Sequence, residues 1–310
     1  MWHASRQLLR PQFIKDRVSD LNTFERHVKT LIPLLGGGGR PGSPVNLVDV
    51  FYRYTLDAAT DFLLGSSVDS MKKVEDKFAD AFAVVQHEQN IIALAGPLNP
   101  LVPRKKFYAS LKVMEDFIQP FIEQTLRLPQ EELEKKSKSD EGYTFLHALA
   151  GFTRDPKVLR DQLVAVLLAG RDTTAMTLSW MFYELSRRPE IVAKLRKEIG
   201  QHFGADKNPT YADLKSMRYL QHTINETLRL YPVVPFNIRM ALKDTTLPHG
   251  GGPDGMQPIG VLKGTSMAYS TLGMQCRPDI YPPTSEKFPH HMEFSPERWD
   301  NWHPKLWTCK

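Results

Sequence analysis

The sequence Ala169-Gly170-Arg171-Asp172-Thr173-Thr174 places a glycine, two charges and two hydroxyls in the middle of a long apolar helical pattern. Asp155 followed by Pro156 is typical of a helix start, because the carboxylate caps the first turn and proline fits its first position. The pattern continues to about Arg188, a length of roughly 50 Å at 1.5 Å per residue. Glycine costs roughly 1 kcal/mol relative to alanine inside a helix, and an unpaired buried carboxylate costs more. The stretch therefore indicates either a functional site within a buried helix or a helix whose few polar residues face solvent.

Four further motifs stand at wide intervals along the chain. They are Trp2-His3-Ala4-Ser5-Arg6, Glu226-Thr227-Leu228-Arg229, Pro235-Phe236-Asn237-Ile238-Arg239 and Phe294-Ser295-Pro296-Glu297-Arg298-Trp299. Each one alone is a weak signal, since Glu-x-x-Arg is a common ion pair on one helix face. Together, in this order and spacing, the motifs resemble the cytochrome P450 family of haem-thiolate monooxygenases. The nearest likeness is to fungal microsomal members that hydroxylate alkanes and fatty acids, and it covers essentially the whole chain but not the whole family domain.

The family likeness implies a mostly α fold with a small β region, that is, an incomplete cytochrome P450 fold. Helix-period patterns agree with this expectation and cover 12–33, 46–64, 71–95, 107–135, 190–203 and 211–230. From Pro232 onward, Gly and Pro cluster around short β-like runs such as 258–264. The expected organisation is a single domain fragment over residues 1–310, with a helical body at 1–231 and a β-containing and meander region at 232–310.

The resemblance assigns oxygen chemistry to the central stretch. Oxygen activation at a haem needs protons delivered without flooding the site with water, and a hydroxyl beside a carboxylate supplies such a relay. The resemblance implies that Ala169 and Gly170 contact the haem, with the helix opened at Gly170. Thr173 would hydrogen-bond the iron-bound oxygen and Asp172 would feed protons to it, whereas Thr174 would stabilise the helix.

Trp2, Arg6 and Arg239 resemble the residues that hold the haem propionates in the family. Buried carboxylates need cationic or N–H partners, which these side chains supply. Trp2 and Arg6 share one helix face, as a common ligand requires. The alternative is that the start of the chain is a frayed end without a ligand.

Glu226, Arg229 and Arg298 resemble the structural triad of the family, which pins the meander before the ligand loop. Glu226 and Arg229 share one helix face, and a distant arginine offers a planar fork to the same carboxylate. The alternative is an exposed ion pair worth less than about 1 kcal/mol.

The family's haem ligand is a cysteine in a Phe-x-x-Gly-x-x-x-Cys-x-Gly loop, shortly after the Pro-Glu-Arg-Trp segment. Counted back from Cys309, Lys305 stands at the glycine position and Trp302 at the phenylalanine position. Cys276 precedes the segment and has Leu272 at the glycine position. Neither cysteine fits, so we expect no metal ligand in this chain, which is interpreted as a fragment truncated at both ends.

Composition excludes several other classes of protein. The formal charge of +5 lacks a concentrated Lys/Arg block, which argues against nucleic acid as a partner. The 10 histidines include no His-Glu-x-x-His pattern and the chain has no Gly-x-Ser-x-Gly, so zinc and serine hydrolases are unsupported.

By resemblance, the partners are an NADPH-dependent P450 reductase and an apolar small-molecule substrate, an alkane or fatty acid, at the endoplasmic reticulum membrane. No run approaches the ~20 apolar residues of a transmembrane helix, so we expect the membrane anchor to be absent from this chain. Two rival hypotheses remain. One is a truncated, non-catalytic product that lacks the cysteine loop, and the other is a helical lipid-binding module, supported only by the apolar segment 90–102.

Overall fold

The computed structural model describes residues 6–7, 9–10, 21–37, 42–73, 76–133, 144–203 and 208–302 of the chain. Its helices are α1 (Asn22–Leu35), α2 (Leu47–Leu64), α3 (Lys77–Leu94), α4 (Lys105–Leu126), α5 (Phe145–Ala150), α6 (Pro156–Ser186), α7 (Pro189–His202), α8 (Tyr211–Ser216), α9 (Arg218–Leu230), α10 (Thr271–Gln275) and α11 (Arg298–Asn301). Short 3-10 helices span Gly96–Leu101 and Pro278–Ile280. The strands are β1 (Phe236–Met240), β2 (Thr245–Gly251), β3 (Gln257–Val261) and β4 (Ser266–Ser270). The described chain is therefore mostly helical with a small β region, as the sequence predicts.

The residues cluster into two compact units. The first unit comprises Met1–Ser179 and Pro209–Leu214, and the second comprises Trp180–Asn208 and Lys215–Lys310. The core of the first unit is built by apolar side chains of α2 to α6 that are fully buried. Members with no exposed surface include Leu56, Phe82, Met114, Ile122, Phe145, Leu149 and Leu159.

The long helix α6 begins where its capping residue predicts. Asp155 Oδ1 accepts hydrogen bonds from the backbone N–H groups of Lys157 at 2.9 Å and Val158 at 3.3 Å. Leu159, Leu163 and Leu167 then follow at i, i+4 spacing and lie buried in the core of the first unit. The predicted end near Arg188 agrees with the observed end at Ser186 to within two residues.

The second unit has an apolar core of its own, formed around α7 and α9. Ile191 and Leu195 of α7 pack with Leu230 of α9 and Phe294, and Leu185 joins them. A separate aromatic cluster contains Tyr281, Trp299 and Trp302. These contacts fold the segment after the strands back onto α9.

The β region consists of two antiparallel pairs. β1 pairs with β4 from Phe236–Ser270 to Met240–Ser266, and β2 pairs with β3 with a register shift between Leu247 and Gly251. A Cβ atom on Gly251 would lie 2.8 Å from the carbonyl oxygen of Pro258, so only glycine permits this approach of the two strands. The β-like run at 258–264 thus contributes its first residues to β3.

Several helix boundaries differ from the sequence-based ones for local reasons. α3 starts at Lys77, and not near 71, because the Asp76 carboxylate accepts from the N–H groups of Phe78 and Ala79. The helix predicted over 211–230 is split at Met217, whose ψ of 89° leaves the helical region. Among the described helices, none combines the length and apolar character needed to cross a bilayer.

Candidate functional site

The central stretch of α6 has two contrasting sides. Leu167, Arg171 and Ala175 are buried at i, i+4 and i+8, which makes Arg171 a charged member of the buried stripe. On the other side, Ala169 and Gly170 are exposed and Thr173 is half-buried. A Cβ atom built on Gly170 would meet no atom within 4 Å. The described residues therefore leave a small-residue face on α6 against which a flat group can lie.

Thr173 makes its hydrogen bond within α6. Its hydroxyl donates to the carbonyl oxygen of Ala169 at 2.5 Å, and the hydroxyl of Thr177 donates to the carbonyl oxygen of Thr173 at 2.8 Å. α6 is continuous through Gly170, in contrast to the opening expected there. The back-bond of Thr173, of a kind that often bends a helix, does not interrupt α6 here.

The carboxylate of Asp172 is bound by two side chains of the first unit. Gln86 of α3 donates a hydrogen bond from Nε2 to Asp172 Oδ2. Arg171 NH1 lies 3.2 Å from Asp172 Oδ1 and also donates to Gln86 Oε1 at 3.1 Å. The Asp172 side chain remains 28 % exposed, so the carboxylate is bound but still reaches solvent.

The guanidinium of Arg171 is enclosed by aromatic rings. Its central carbon lies 4.7 Å from the ring centroid of Tyr52 and 4.8 Å from that of Phe82. Burial lowers the pKa of Arg171, and the charge of Asp172 opposes this shift. Arg171 Nε is buried and has no hydrogen-bond partner among the described atoms. The sequence analysis includes Arg171 in the central stretch without a role, and it misses Gln86, because no local pattern pairs residues 85 positions apart.

In the second unit, the structure brings Glu226, Arg229 and Arg298 together. The Glu226 and Arg229 side chains are 0 % exposed and that of Arg298 is 1 % exposed, so the pair is not a surface pair. Arg229 binds the carboxylate through two nitrogens, at 2.7 and 2.9 Å, and Arg298 Nε lies 3.3 Å from Oε1. Trp299 Nε1 donates to Oε2 at 3.0 Å, and the N–H of Ser295 donates to Oε1 at 2.9 Å.

The two arginines also bind main-chain carbonyls of the segment before α11. Arg229 donates to the carbonyl oxygens of His291 at 2.5 Å and Glu293 at 3.1 Å. Arg298 donates to those of Pro289 at 2.9 Å, His290 at 2.8 Å and Glu293 at 3.1 Å. The buried ion cluster thereby holds an irregular stretch of backbone in one shape.

The pKa values of the two arginines shift in opposite directions. Burial alone lowers the pKa of Arg229, but the hydrogen bonds and charge of Glu226 outweigh it and raise that pKa. For Arg298, burial lowers the pKa and the more distant Glu226 compensates only in part. Arg229 is therefore the primary partner of the carboxylate.

The other predicted site residues have separate surroundings. Arg239 is exposed on β1, where it donates to Asn237 Oδ1 at 2.9 Å and lies over the ring of Tyr269. Arg6 is exposed in the first unit, and Trp2 lies outside the described residues. Cys276 is a free, half-buried cysteine directly after α10, and Cys309 also lies outside the described residues.

Two features of the described residues suit a planar haem with carboxylate side chains. The face formed by Ala169 and Gly170 is open and has no bulky side chain. Arg239 is an exposed cation that can accept a carboxylate partner.

Comparisons with known proteins give the affiliation of the chain. The model of the family described as Cytochrome P450 matches residues 1–304. Cytochrome P450 monooxygenase pvhE of Talaromyces variabilis is 53 % identical, over 98 % of this chain and 58 % of its own length. Cytochrome P450 52A1 of Candida tropicalis is 40 % identical, over 96 % of this chain and 56 % of its own length. This chain thus spans somewhat more than half the length of these curated relatives.

A solved structure shows the same fold. The crystal structure of cytochrome P450DA heme domain matches with a TM-score of 0.72 at 20 % identity, over 96 % of this chain and 60 % of that chain. The family model covers nearly all of the present sequence, and a relative from the same family is 53 % identical over 98 % of this chain. This chain belongs to the cytochrome P450 family.

Proposed function

We propose that this chain provides the oxygen-activating helix and the meander of a haem-dependent monooxygenase, which inserts one oxygen atom from O2 into an apolar substrate. The observation that carries the proposal is the combination on α6 of an open face at Ala169 and Gly170 with an anchored carboxylate at Asp172. A structural helix would fill such a face with large apolar side chains. The family membership supplies the type of reaction.

In this proposal, Ala169 and Gly170 contact one face of the haem, and Trp2, Arg6 and Arg239 bind its propionates. When bound, haem supplies an iron at which O2 can be reduced and its O–O bond cleaved. The protein's part is to shape a cavity that admits an apolar molecule and limits water. Small side chains at Ala169 and Gly170 serve this purpose because they allow close approach of the backbone.

Thr173 and Asp172 have complementary roles in proton delivery. The Thr173 hydroxyl donates its one proton to the Ala169 carbonyl at 2.5 Å and keeps two lone pairs that can accept, so a relay through it requires the hydroxyl to turn away from Ala169 as it accepts a new proton. The half-exposed carboxylate of Asp172 reaches solvent and can exchange protons with it. Together they would carry protons from solvent toward the open face at Ala169 and Gly170.

Glu226, Arg229 and Arg298 have a structural role. Their cluster fixes the backbone of residues 289–293 through five carbonyl contacts. A fixed meander would position the segment that follows α11.

The substrate, partner and location are the finer part of the proposal. We infer an alkane or a fatty acid as substrate, an NADPH-dependent P450 reductase as electron donor and the endoplasmic reticulum membrane as location. These inferences rest on the resemblance to fungal microsomal members of the family.

The test uses the complete gene product in microsomes with a P450 reductase, NADPH, palmitate or hexadecane, and 18O-labelled O2. We expect a hydroxylated product that carries one 18O atom. Thr173→Ala should retain haem but release more peroxide per NADPH consumed, because proton delivery loses its order. Thr177→Ala is the matched control, since this threonine makes the same back-bond one turn later. Absence of any labelled product, or equal coupling in both variants, would overturn the proposal.

A further inference from the structure

Gln86 binds both charged groups of the central stretch with opposite ends of its amide. Its Nε2 donates to Asp172 Oδ2, and its Oε1 accepts from Arg171 NH1 at 3.1 Å. Arg171 NH1 in turn lies 3.2 Å from Asp172 Oδ1. The three side chains thus form a closed ring of contacts that joins α3 to α6 within the first unit.

The ring lies in a partly dry setting. Arg171 is 7 % exposed, and the rings of Tyr52 and Phe82 cover its guanidinium. The charge of Asp172 raises the pKa of Tyr52 further beyond the effect of burial, while Arg171 lowers it. Asp49 of α2 also acts on Arg171 electrostatically. In such surroundings hydrogen bonds to ions are stronger than in water, so loss of one bond changes where the carboxylate sits.

We propose that Gln86 is a positioning residue for Asp172, holding its carboxylate toward α3 and controlling when that carboxylate can take part in proton transfer. The inference rests on the proposed function of Asp172 as a proton carrier and adds a residue from another helix to it. Both carboxylate oxygens are engaged in the ring, one by Gln86 and the other by Arg171. While Gln86 Nε2 donates to Oδ2, the carboxylate is held toward α3, and it can turn away from α3 only when this hydrogen bond breaks.

A glutamine suits position 86 better than a glutamate or a leucine, the two side chains of similar size. The amide of glutamine donates to a carboxylate on one side and accepts from a guanidinium on the other, which neither a carboxylate nor an alkyl group of similar size can do. A glutamate at 86 could still accept from Arg171, but it would set a second carboxylate against Asp172, and two such groups share a proton. A leucine would keep most of the volume and remove both hydrogen bonds.

The variants are Gln86→Glu and Gln86→Leu, with Gln89→Glu and Gln89→Leu as matched controls. Gln89 is an exposed residue of the same type on the same helix, so it reports the effect of composition alone. All variants are made in two sets. The first set is the present chain purified without haem, and the second is the complete gene product assayed with reductase and NADPH. The first set reports on the ring of contacts, and the second reports on its use.

In the haem-free chain, the readout is the infrared carboxyl band that Asp172→Asn removes, followed as a function of pH. We expect Gln86→Glu to keep the protonated band to a pH about one unit higher than the wild type, because of the facing carboxylate. The Gln89 variants should match the wild type. An unchanged band in Gln86→Glu would overturn the inference.

In the complete gene product, the readouts are product formed per NADPH and its dependence on pH. We expect Gln86→Leu to lower coupling by at least about threefold, since a displaced catalytic group loses much of its effect. Gln86→Glu should move the acidic limb of the pH profile upward by about one unit. If the wild type oxygenates substrate while both Gln86 variants behave like the Gln89 controls, the inference alone falls. A wild type that forms no oxygenated product overturns the proposed function, and this role of Gln86 with it.

Discussion

At the scale of single residues, the buried carboxylate of Glu226 accepts five hydrogen bonds from four residues. Two nitrogens of Arg229, Nε of Arg298, Nε1 of Trp299 and the N–H of Ser295 all point to it. Such a fully buried ion cluster adds little stability compared with apolar residues, but removal of one member leaves charges without partners. The removal of Glu226 is therefore more damaging than its contribution as a contact suggests.

The first prediction concerns this carboxylate. Glu226→Ala leaves two buried arginines unpaired, which typically costs roughly 3–5 kcal/mol in the free energy of unfolding. The measurement is urea unfolding followed by tryptophan fluorescence. Glu286→Ala, at an exposed glutamate of the meander, is the control and should change the free energy by less than about 0.5 kcal/mol. Equal effects of the two substitutions would contradict the prediction.

A second prediction follows from the ion pair between Lys194 and Glu297. Burial alone raises the pKa of Glu297, but Lys194 Nζ at 2.5 Å and the Tyr219 hydroxyl at 2.7 Å lower it below its ordinary value of 4.5. A depressed pKa means that the pair stabilises the fold above about pH 4.5 and that this stabilisation disappears as the pH falls through the lower folded-state value.

We therefore expect Lys194→Met to destabilise the protein at pH 7 and to differ less from the wild type at pH 3. Urea unfolding at both values measures this, with Lys197→Met, an exposed lysine of the same helix, as control. A difference that grows on acidification would show that the pair has the opposite linkage.

The sequence predicts residues that interact within one helix better than residues that meet across the fold. The spacing of Glu226 and Arg229 indicates their pair, and the motif around Arg298 suggests a third member. The contacts of Trp299 and of the carbonyls at 289–293 have no such signal, because backbone groups carry no sequence signature. Gln86 was missed for the same physical reason: a contact between two helices depends on their packing and not on local spacing.

At the scale of elements, α6 combines a capped start, a buried leucine stripe and an open face at its centre. Ala169 and Gly170 interrupt the apolar pattern without ending the helix, since the backbone hydrogen bonds continue. Glycine at this point lowers helix stability, so its presence indicates that the space beside it is needed.

The third prediction tests that space. Gly170→Leu should stabilise the haem-free chain slightly, because leucine is the better helix former by roughly 0.8 kcal/mol and its Cβ meets no neighbour. The same change should weaken haemin binding at least about tenfold, since the side chain projects over the open face. Gly200→Leu is the control: it lies in α7, also with open space at its Cβ, and should give the stability without the loss of binding.

Haemin affinity is measured by absorbance titration and stability by thermal unfolding. Similar haemin affinity for wild type and Gly170→Leu would show that this face does not contact the group. Loss of stability in Gly170→Leu would show instead that the face is packed in solution.

A capping side chain marks the start of a helix in the sequence. A break that the backbone makes for a tertiary reason has no such mark. Asp155 gave the start of α6 correctly. Asp76 carries the same signal for α3 and would have given Lys77 as the first helical residue. The break at Met217 has no glycine or proline to announce it, so the amphipathic pattern of 211–230 extends through it.

At the scale of the whole molecule, each of the two compact units has its own core, and tryptophan fluorescence can follow one of them separately. Among the described residues, every tryptophan belongs to the second unit, namely Trp180, Trp299 and Trp302. Fluorescence therefore reports mainly on the second unit, whereas circular dichroism reports on helices of both.

The fourth prediction uses this difference. In Glu226→Ala, we expect the fluorescence midpoint in urea to fall while part of the circular dichroism transition keeps the wild-type midpoint, because the lost ion cluster belongs to the second unit alone. Two probes that disagree show that unfolding is not two-state. A single coincident transition in this variant would mean that the chain unfolds as one cooperative body.

The binding of carbonyls by Arg229 and Arg298 has a consequence for the time course of folding. Arg298 joins Glu226 across 72 positions, and Arg229 joins Glu293 across 64. Contacts of such long range form after helices, because the intervening loop must first be closed. The meander is then shaped late, when Arg298 reaches Glu226 and the backbone between them closes onto the two guanidinium groups. Loss of Arg298 should accordingly speed the unfolding reaction and leave the early folding rate nearly unchanged.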